Sequence, residues 1–304
     1  MTSRSRPTSL VIDGDDIAPR LEPGRTPDPD LAQTAGVEVA GGPGVEFVEG
    51  LEVLRRRPER PEPGRPSLLF VHAAAHGAWS WDEHWMPAAA ERGWSCAAMS
   101  LRGHGGSPAG ARPATLSDYV EDVFQVIVRL PRPPVLVGHS MGALIVQRIL
   151  ARYPARAGVL IAPPGLRHGL RLGANIGRRH PGDIAAGLAF RPLPARPEYL
   201  FSNQVSPADA RRHVVRTDPE SPLAQYQILL PRRVHAAKAP VLVLGGAEDG
   251  LVPPIDVVRT ARHYATRARL FTGMGHDIML EPRWREPLDV LLRWLDAGPR
   301  CAPA

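Results

Sequence analysis

The chain is poor in cysteine, with only two among its 304 residues. Cys96 lies in an apolar stretch and Cys301 lies near the C-terminus. Two cysteines so far apart provide neither a disulfide framework nor the Cys-x-x-Cys spacing typical of a metal site. We therefore expect Cys96 to be a small core residue.

Lysine is also nearly absent, because Lys238 is the only lysine among 37 basic residues. The formal net charge is nevertheless +6 and the pI is about 10.0. The arginines are spread along the chain with acidic residues between them. A nucleic-acid surface would concentrate such charge in one patch or run. We therefore predict no nucleic-acid partner.

Long apolar runs are missing too. No stretch reaches the roughly 18 residues that a membrane-spanning helix needs. The first residues are basic, but Asp13, Asp15 and Asp16 interrupt the chain where a signal peptide would have its apolar region. The sequence therefore predicts a cytoplasmic protein without a membrane span.

The apolar runs that are present are short and recur along most of the chain. Residues 1–43 lack sustained periodicity and are predicted to be a disordered leader. Residues 44–163 and 237–304 alternate buried-strand runs with helical segments, which predicts an α/β fold with a doubly wound, mostly parallel sheet. Glu49-Gly50 separates the first two runs and predicts a hairpin. Residues 164–236 have no strong strand pattern and predict an inserted, mostly helical cap.

The most informative motif is Gly-His-Ser-Met-Gly at residues 138–142. An apolar run precedes it and another follows it. A strand, a Gly-x-Ser-x-Gly turn and a helix are typical of a nucleophile elbow, which would present the Ser140 hydroxyl above the sheet. An unassisted serine is a weak nucleophile, so this motif also predicts a base, an acid that orients the base and an oxyanion hole.

An acid and a histidine follow in the expected order. Asp249 comes after a later strand, and His276 lies on a glycine-flanked loop after the next one. The carboxyl ends of parallel strands share one edge of a sheet, so Ser140, Asp249 and His276 are predicted to converge there. Glu248 and Asp277 are competing carboxylates, but Asp249 fits the Gly-x-x-Asp-x-x-Val-Pro spacing.

These motifs resemble those of the α/β-hydrolase superfamily over about residues 45–298. Residues 69–79 look like its His-Gly-x-x-x-Gly-x-Trp oxyanion segment, and residues 101–107 are similar to its Arg-Gly-x-Gly-x-Ser loop. The resemblance is closest to the esterase and hydroxynitrile-lyase-like branch. It implies that the N–H groups of Met141 and Ala74 form the oxyanion hole, and that no cofactor or metal is needed.

The oxyanion segment departs from the family at one position. The family usually has glycine after the histidine, whereas Ala73 follows His72 here. Alanine suits this position only if its φ is negative. His72 and His76 are four residues apart, but a strand-to-loop turn without a third ligand predicts no metal site. We expect His72 to brace the loop.

The predicted cap is rich in arginine. Its arginines either recruit an anionic substrate or reflect the arginine bias of the whole chain, and the bias is the favoured interpretation. The apolar cap residues Leu188, Phe190, Leu200 and Phe201 are expected to line an acyl or aromatic pocket.

Together these observations predict a serine hydrolase that cleaves an ester or thioester of a small to medium apolar substrate. Ser140 would be the nucleophile, His276 the general base and Asp249 the acid that orients it. Acyl transfer to another acceptor and C–C bond cleavage use the same residues and stay open. A non-catalytic ligand-binding protein on the same scaffold is the alternative of a different class. A small-molecule substrate is the predicted partner, and the oligomeric state stays open.

Overall fold

The computed structural model describes residues 37–38, 44–233 and 235–299. Within these residues, nine strands form one sheet. In chain order the strands are β1 (Val37–Glu38), β2 (Gly44–Val48), β3 (Leu51–Arg56), β4 (Leu68–Val71), β5 (Cys96–Met99), β6 (Val135–His139), β7 (Ala157–Ile161), β8 (Val241–Gly246) and β9 (Ala268–Phe271).

The strand order is β1-β2-β3-β5-β4-β6-β7-β8-β9. The pairings β1–β2, β2–β3 and β3–β5 are antiparallel. All pairings from β5 to β9 are parallel. The loops that follow β4, β6, β8 and β9 therefore leave the same edge of the sheet, where α/β proteins place their ligand sites.

Helices connect most of the parallel strands. The helices assigned in the described residues are α1 (Trp79–Asp82), α2 (Trp85–Glu91), α3 (Leu116–Ile127), α4 (Met141–Leu150), α5 (Leu170–Arg179), α6 (Pro181–Leu188), α7 (Pro197–Leu200), α8 (Pro207–Val214), α9 (Pro222–Leu229), α10 (Pro254–His263) and α11 (Arg285–Asp296). None of these helices combines the length and the apolar character needed to cross a bilayer.

The predicted α/β fold with a doubly wound, mostly parallel sheet is confirmed. Both faces of the central strands β4 to β8 are buried. In β4, Leu69 and Val71 belong to one apolar cluster, and Leu68 and Phe70 belong to the other. Helices α3, α4 and α10 supply buried residues to the first cluster, and α1, α2 and α11 to the second. Because both faces are covered from β4 to β8, these strands are continuous apolar runs rather than alternating ones.

The predicted hairpin joins β2 and β3. Glu49 and Gly50 at its tip both have positive φ, of 51° and 86°. This backbone matches the twist of the two strands, as in type I′ turns.

The leader predicted at residues 1–43 lies outside the described residues except for β1. Val37 of β1 pairs with Val45 of β2, and Glu38 pairs with Gly44. These two residues therefore extend the sheet beyond the boundary that the sequence predicted at residue 44. A two-residue strand is defined by its pairing, so composition gave no sign of it.

Residues 164–236 leave the sheet after β7 and return at β8, which is its parallel neighbour. Helices α5 to α9 lie in this segment, and no strand is assigned among its described residues. Ile176, Leu200 and Phe201 of this segment are buried against the second apolar cluster, and Ile228 against the first. Leu188 and Phe190, expected to line a pocket, are instead 74% and 53% exposed.

Candidate active site

Ser140 lies at a sharp turn between β6 and α4. Its backbone has φ 51° and ψ −114°, which is unusual for a residue with a side chain. Such a conformation costs about 1–3 kcal/mol and persists only where the surroundings enforce it. The Ser140 N–H donates to the carbonyl oxygen of Ile161 at 2.8 Å, which ties the turn to the end of β7.

Close approaches of the backbone explain the glycines on either side of this serine. A Cβ on Gly142 would meet the carbonyl oxygens of Val71 and His72, the latter at 2.6 Å. A Cβ on Gly138 would lie 2.8 Å from the backbone nitrogen of Ala143. Any larger residue would push α4 away from the end of β4. The glycines therefore bring the start of α4 against the segment that follows β4.

Asp249 and His276 form a buried hydrogen-bonded pair on the loops after β8 and β9. His276 Nδ1 lies 2.7 Å from Asp249 Oδ2. The other carboxylate oxygen of Asp249 accepts the N–H groups of Leu251 and Val252, both at 2.8 Å. An ionised carboxylate only accepts hydrogen bonds, so Nδ1 of His276 carries the proton and Nε2 is left to act as a base.

The charge state of His276 depends on this pair. Burial opposes a charged imidazole, but the Asp249 carboxylate and its hydrogen bond outweigh burial and raise the pKa of His276 from its ordinary value. His276 is 1% exposed and Asp249 is 7% exposed. The pair is therefore arranged to accept a proton in a site with little water.

The histidine loop is attached to the strand that carries the serine. His139, the last residue of β6, has its ring centroid 4.6 Å from that of His276. Burial, followed by the neighbouring His276, holds the pKa of His139 well below its ordinary value, so its ring is neutral. Its Nε2 lies 3.1 Å from the carbonyl oxygen of His276 and donates to it. The residue directly before Ser140 thus holds the loop that carries His276.

In the segment after β4, Ala73 occupies the position where the family usually has glycine, and its backbone is not strained there. Ala73 is not among the non-glycine residues with positive φ in the described part of the chain, whereas Ala75 is, at 64°. The replacement of glycine by Ala73 is therefore accommodated. His72 braces this segment, because its Nδ1 contacts the carbonyl oxygen of Ala73 at 2.7 Å and its Nε2 accepts the N–H of Leu101 at 2.9 Å.

A carboxylate from residues 164–236 also holds this segment. Glu220 is 1% exposed and accepts the Ala75 N–H at 3.2 Å. Its side chain also accepts the Tyr119 hydroxyl at 2.6 Å and lies 3.2 Å from His104 Nε2. The N–H of Asp218 donates to the Ala75 carbonyl oxygen at 2.8 Å. Both backbone groups of Ala75 are thereby fixed.

His104 and Glu220 are charged partners. Burial lowers the pKa of His104, but the Glu220 carboxylate outweighs it and raises the pKa overall. Burial raises the pKa of Glu220, and His104 more than reverses this. The role of Glu220 was not predicted from the sequence, because Glu220 follows Asp218 and Pro219 in a segment without periodicity. A pair of acids within an arginine-rich stretch was the available signal.

Four arginines of this segment have carboxylate partners. Arg196 pairs with Asp183 at 2.7 Å, and Arg171 lies 3.3 Å from Asp256. Arg212 and Arg216 both bind Glu83, at 2.6 and 2.8 Å. These four side chains are therefore held in ion pairs within the protein.

Among the described residues, one group of three side chains has the spacing that a metal ion could use. His139, His276 and Asp277 each offer a ligand atom, and these atoms lie within 4.8 Å of one another. His276 Nδ1 is already hydrogen-bonded to Asp249, and His139 Nε2 is hydrogen-bonded to the carbonyl oxygen of His276. A metal ion bound through either of these two nitrogens would replace the hydrogen bond that the nitrogen makes.

Comparison with known proteins identifies the family. Residues 68–287 match the alpha/beta hydrolase family. The chain belongs to this family. Its predicted membership of the α/β-hydrolase superfamily is therefore confirmed.

Individual relatives are more distant. A monoacylglycerol lipase from Mycolicibacterium smegmatis (strain ATCC 700084 / mc(2)155) is 27% identical over 217 residues, which are 65% of this chain and 76% of the lipase. The crystal structure of a monoacylglycerol lipase from Paleococcus ferrophilus aligns with a TM-score of 0.63 at 22% identity, covering 82% of this chain and 99% of that one. An enol-lactonase from Burkholderia xenovorans LB400 aligns with a TM-score of 0.60 at 21% identity, covering 83% and 99%. These two structural similarities concern the fold.

Proposed function

We propose that this alpha/beta hydrolase cleaves an ester or thioester of a small to medium apolar substrate, with Ser140, His276 and Asp249 as its catalytic triad. The observation that carries the proposal is the buried His276–Asp249 pair, 2.7 Å apart. The loop of His276 is held by a hydrogen bond from His139, the residue directly before Ser140. A general base needs its second nitrogen free and its orientation fixed, and this pair provides both.

In the proposed reaction, Ser140 Oγ attacks the carbonyl carbon of the substrate while Nε2 of His276 takes the hydroxyl proton. Asp249 keeps the imidazole in the required tautomer and stabilises the imidazolium that forms. The tetrahedral intermediate collapses as His276 returns the proton to the leaving oxygen or sulfur atom. A water molecule, activated by the same nitrogen, then releases the acid from the acyl-enzyme.

The negative oxygen of the intermediate would be bound by the N–H groups of Met141 and Ala74. Met141 is the first residue of α4, whose unpaired N–H groups carry partial positive charge. The contact of Gly142 with the carbonyl oxygens of Val71 and His72 supports a short distance between the two donors. Removing one such donor typically costs about 100- to 1,000-fold in rate.

The relatives favour an oxygen ester with an apolar acyl chain. The relative matched over 76% of its length is a monoacylglycerol lipase. In this chain, the buried segment around Leu200 lies against the histidine loop, because the Asp277 N–H donates to the Leu200 carbonyl oxygen at 2.9 Å. Leu200 and Phe201 are 5% and 8% exposed, and they are the apolar residues we assign near the acyl group.

The test is hydrolysis of p-nitrophenyl esters of increasing acyl length by wild type, Ser140→Ala and Ser117→Ala. Ser117 is an exposed serine on α3 and serves as the matched control. We expect Ser140→Ala to lose at least about 1,000-fold in kcat while Ser117→Ala keeps wild-type turnover. Ester cleavage that is equal in all three proteins would refute the assignment of Ser140.

A further inference from the structure

His76 and Asp277 form a second buried pair beside the proposed triad. His76 lies on the segment after β4, and Asp277 directly follows His276. His76 Nε2 lies 2.9 Å from Asp277 Oδ2, and His76 Nδ1 lies 2.9 Å from the carbonyl oxygen of Ala74. The two residues are 1% and 0% exposed. The proposed reaction uses neither side chain.

Both ring nitrogens of His76 therefore face an acceptor. A carbonyl oxygen only accepts hydrogen bonds, so Nδ1 must carry a proton. An ionised carboxylate also only accepts, so Nε2 carries a second proton while Asp277 is ionised. An imidazole ring that donates from both nitrogens is a cation.

The electrostatics of the pair agree with this proton count. Burial lowers the pKa of His76, but Asp277 outweighs burial and raises it above the ordinary value. Burial raises the pKa of Asp277, but the charge and hydrogen bond of His76 bring it down to about 2. The shared proton therefore belongs on the ring of His76.

Other groups around His76 do not supply an alternative partner. Trp79 of α1 stacks on its ring at a centroid distance of 5.6 Å and an angle of 17°, an arrangement that favours a cation. The titratable or charged groups that face His76 or this stack are His72 on its own segment, His139 on β6, Asp277 and His276 after β9, and Glu220, His213 and Arg216 from residues 164–236. Of the two carboxylates among them, Glu220 is already paired with His104.

We infer that His76 is an imidazolium held by Asp277, and that this buried ion pair positions the oxyanion segment relative to the catalytic base. The inference rests on the proposed function, in which the Ala74 N–H stabilises the oxyanion. The carbonyl group of Ala74 is fixed by a charged donor, and such hydrogen bonds are about twice as strong as neutral ones. The carboxylate that keeps the ring charged belongs to the residue next to the base. His76 is thus a positioning residue that joins the two loops.

The direct test is nitrogen NMR of the histidine rings in the full-length protein at pH 7, with His76→Gln used to assign the signals. We expect both nitrogens of His76 to carry a proton, and the same result in Ser140→Ala. A neutral ring, with the proton on Asp277 or absent, would overturn the inference. This measurement needs no turnover, so its failure is distinct from failure of the hydrolase proposal.

The pH dependence of kcat/KM gives a second test. With an ion pair, the charges of His76 and Asp277 largely cancel at His276. His76→Gln then leaves the Asp277 carboxylate alone and raises the apparent pKa of the base by about one unit. Asp277→Asn removes the anion, and His76 loses its proton with it, so the apparent pKa changes little.

A neutral His76 beside an ionised Asp277 predicts the opposite pattern. Asp277→Asn would then lower the apparent pKa by about one unit, and His76→Gln would leave it unchanged. That pattern would contradict the ion pair. A purely structural role would change kcat in both variants without moving the pKa. If either variant fails to fold, as judged by its thermal melt, the NMR measurement on the wild type still decides.

Discussion

Replacing Asp249 by asparagine tests the arrangement of the acid–base pair most sharply. In the wild type, one carboxylate oxygen of Asp249 accepts two backbone N–H groups and the other accepts the His276 Nδ1 proton. In Asp249→Asn the amide oxygen has to stay with the two N–H donors, since the NH₂ group cannot accept. The NH₂ group therefore faces His276 and forces Nδ1 to accept, which moves the ring proton to Nε2.

In this tautomer, His276 cannot accept the Ser140 proton. Such a change in a serine–histidine–aspartate site lowers kcat by about 10⁴-fold, or about 5.5 kcal/mol of transition-state stabilisation. The size and buried hydrogen bonds of the side chain are retained, so the thermal melt should change little. The assay is kcat with a p-nitrophenyl ester at the optimum pH of the wild type.

Glu248→Gln is the matched control for this substitution. Glu248 is the adjacent carboxylate and is exposed, so its loss should leave kcat within about twofold of wild type. A loss of less than about tenfold in folded Asp249→Asn would refute the assignment of Asp249. A large loss in Glu248→Gln instead would assign the acid to its neighbour.

Three further outcomes follow from the contacts of the site. The pKa of His276 is raised from 6.5, and its neutral form is the base. We therefore expect kcat/KM to fall as the pH drops through a value above 6.5. A fall in kcat/KM only near pH 4 would instead assign the base to a carboxylate. Gly142→Ala should lower the free energy of unfolding, measured with urea, by about 1–3 kcal/mol, because the added Cβ would meet two carbonyl oxygens. Unchanged stability would contradict that close approach. Glu220→Gln should lower the free energy of unfolding by about 3 kcal/mol near pH 6, because it leaves a buried, charged His104 without its partner. Folding raises the pKa of His104 from 6.5 and lowers that of Glu220 from 4.5, so this stabilisation is complete only between about pH 4.5 and 6.5. It is lost as the pH rises through the pKa of His104 and as the pH falls through that of Glu220; a deficit that grows as the pH rises above 6.5 would count against the ion pair.

The centre of the sheet was predictable from the sequence because its strands are buried on both faces. Continuous apolar runs at residues 68–71, 134–137, 158–161 and 240–244 therefore marked β4, β6, β7 and β8 to within about two residues at each end. The turn at Ser140 was predictable for a different reason. Close backbone contacts require glycine at positions 138 and 142, so the two glycines of the motif indicate the sharp turn.

The polar partners of the segment after β4 were not predictable. Glu220 meets Ala75 across 145 residues, and Asp277 meets His76 across 201 residues. No local pattern signals contacts of this kind, because they depend on how the loops fold over the sheet edge. Helices α5 to α9 have at most ten residues each, and several begin with proline, so their periodicity was too short to locate them.

The proposed function depends above all on Ser140 being an activated nucleophile. Its most direct test is reaction with a fluorophosphonate probe, followed by mass spectrometry of the peptide that carries residue 140. We predict one stoichiometric adduct on Ser140 in the wild type, none in Ser140→Ala and strongly slowed labelling in His276→Ala. A folded wild-type protein that stays unlabelled, or one labelled equally well after Ser140→Ala, would contradict the account.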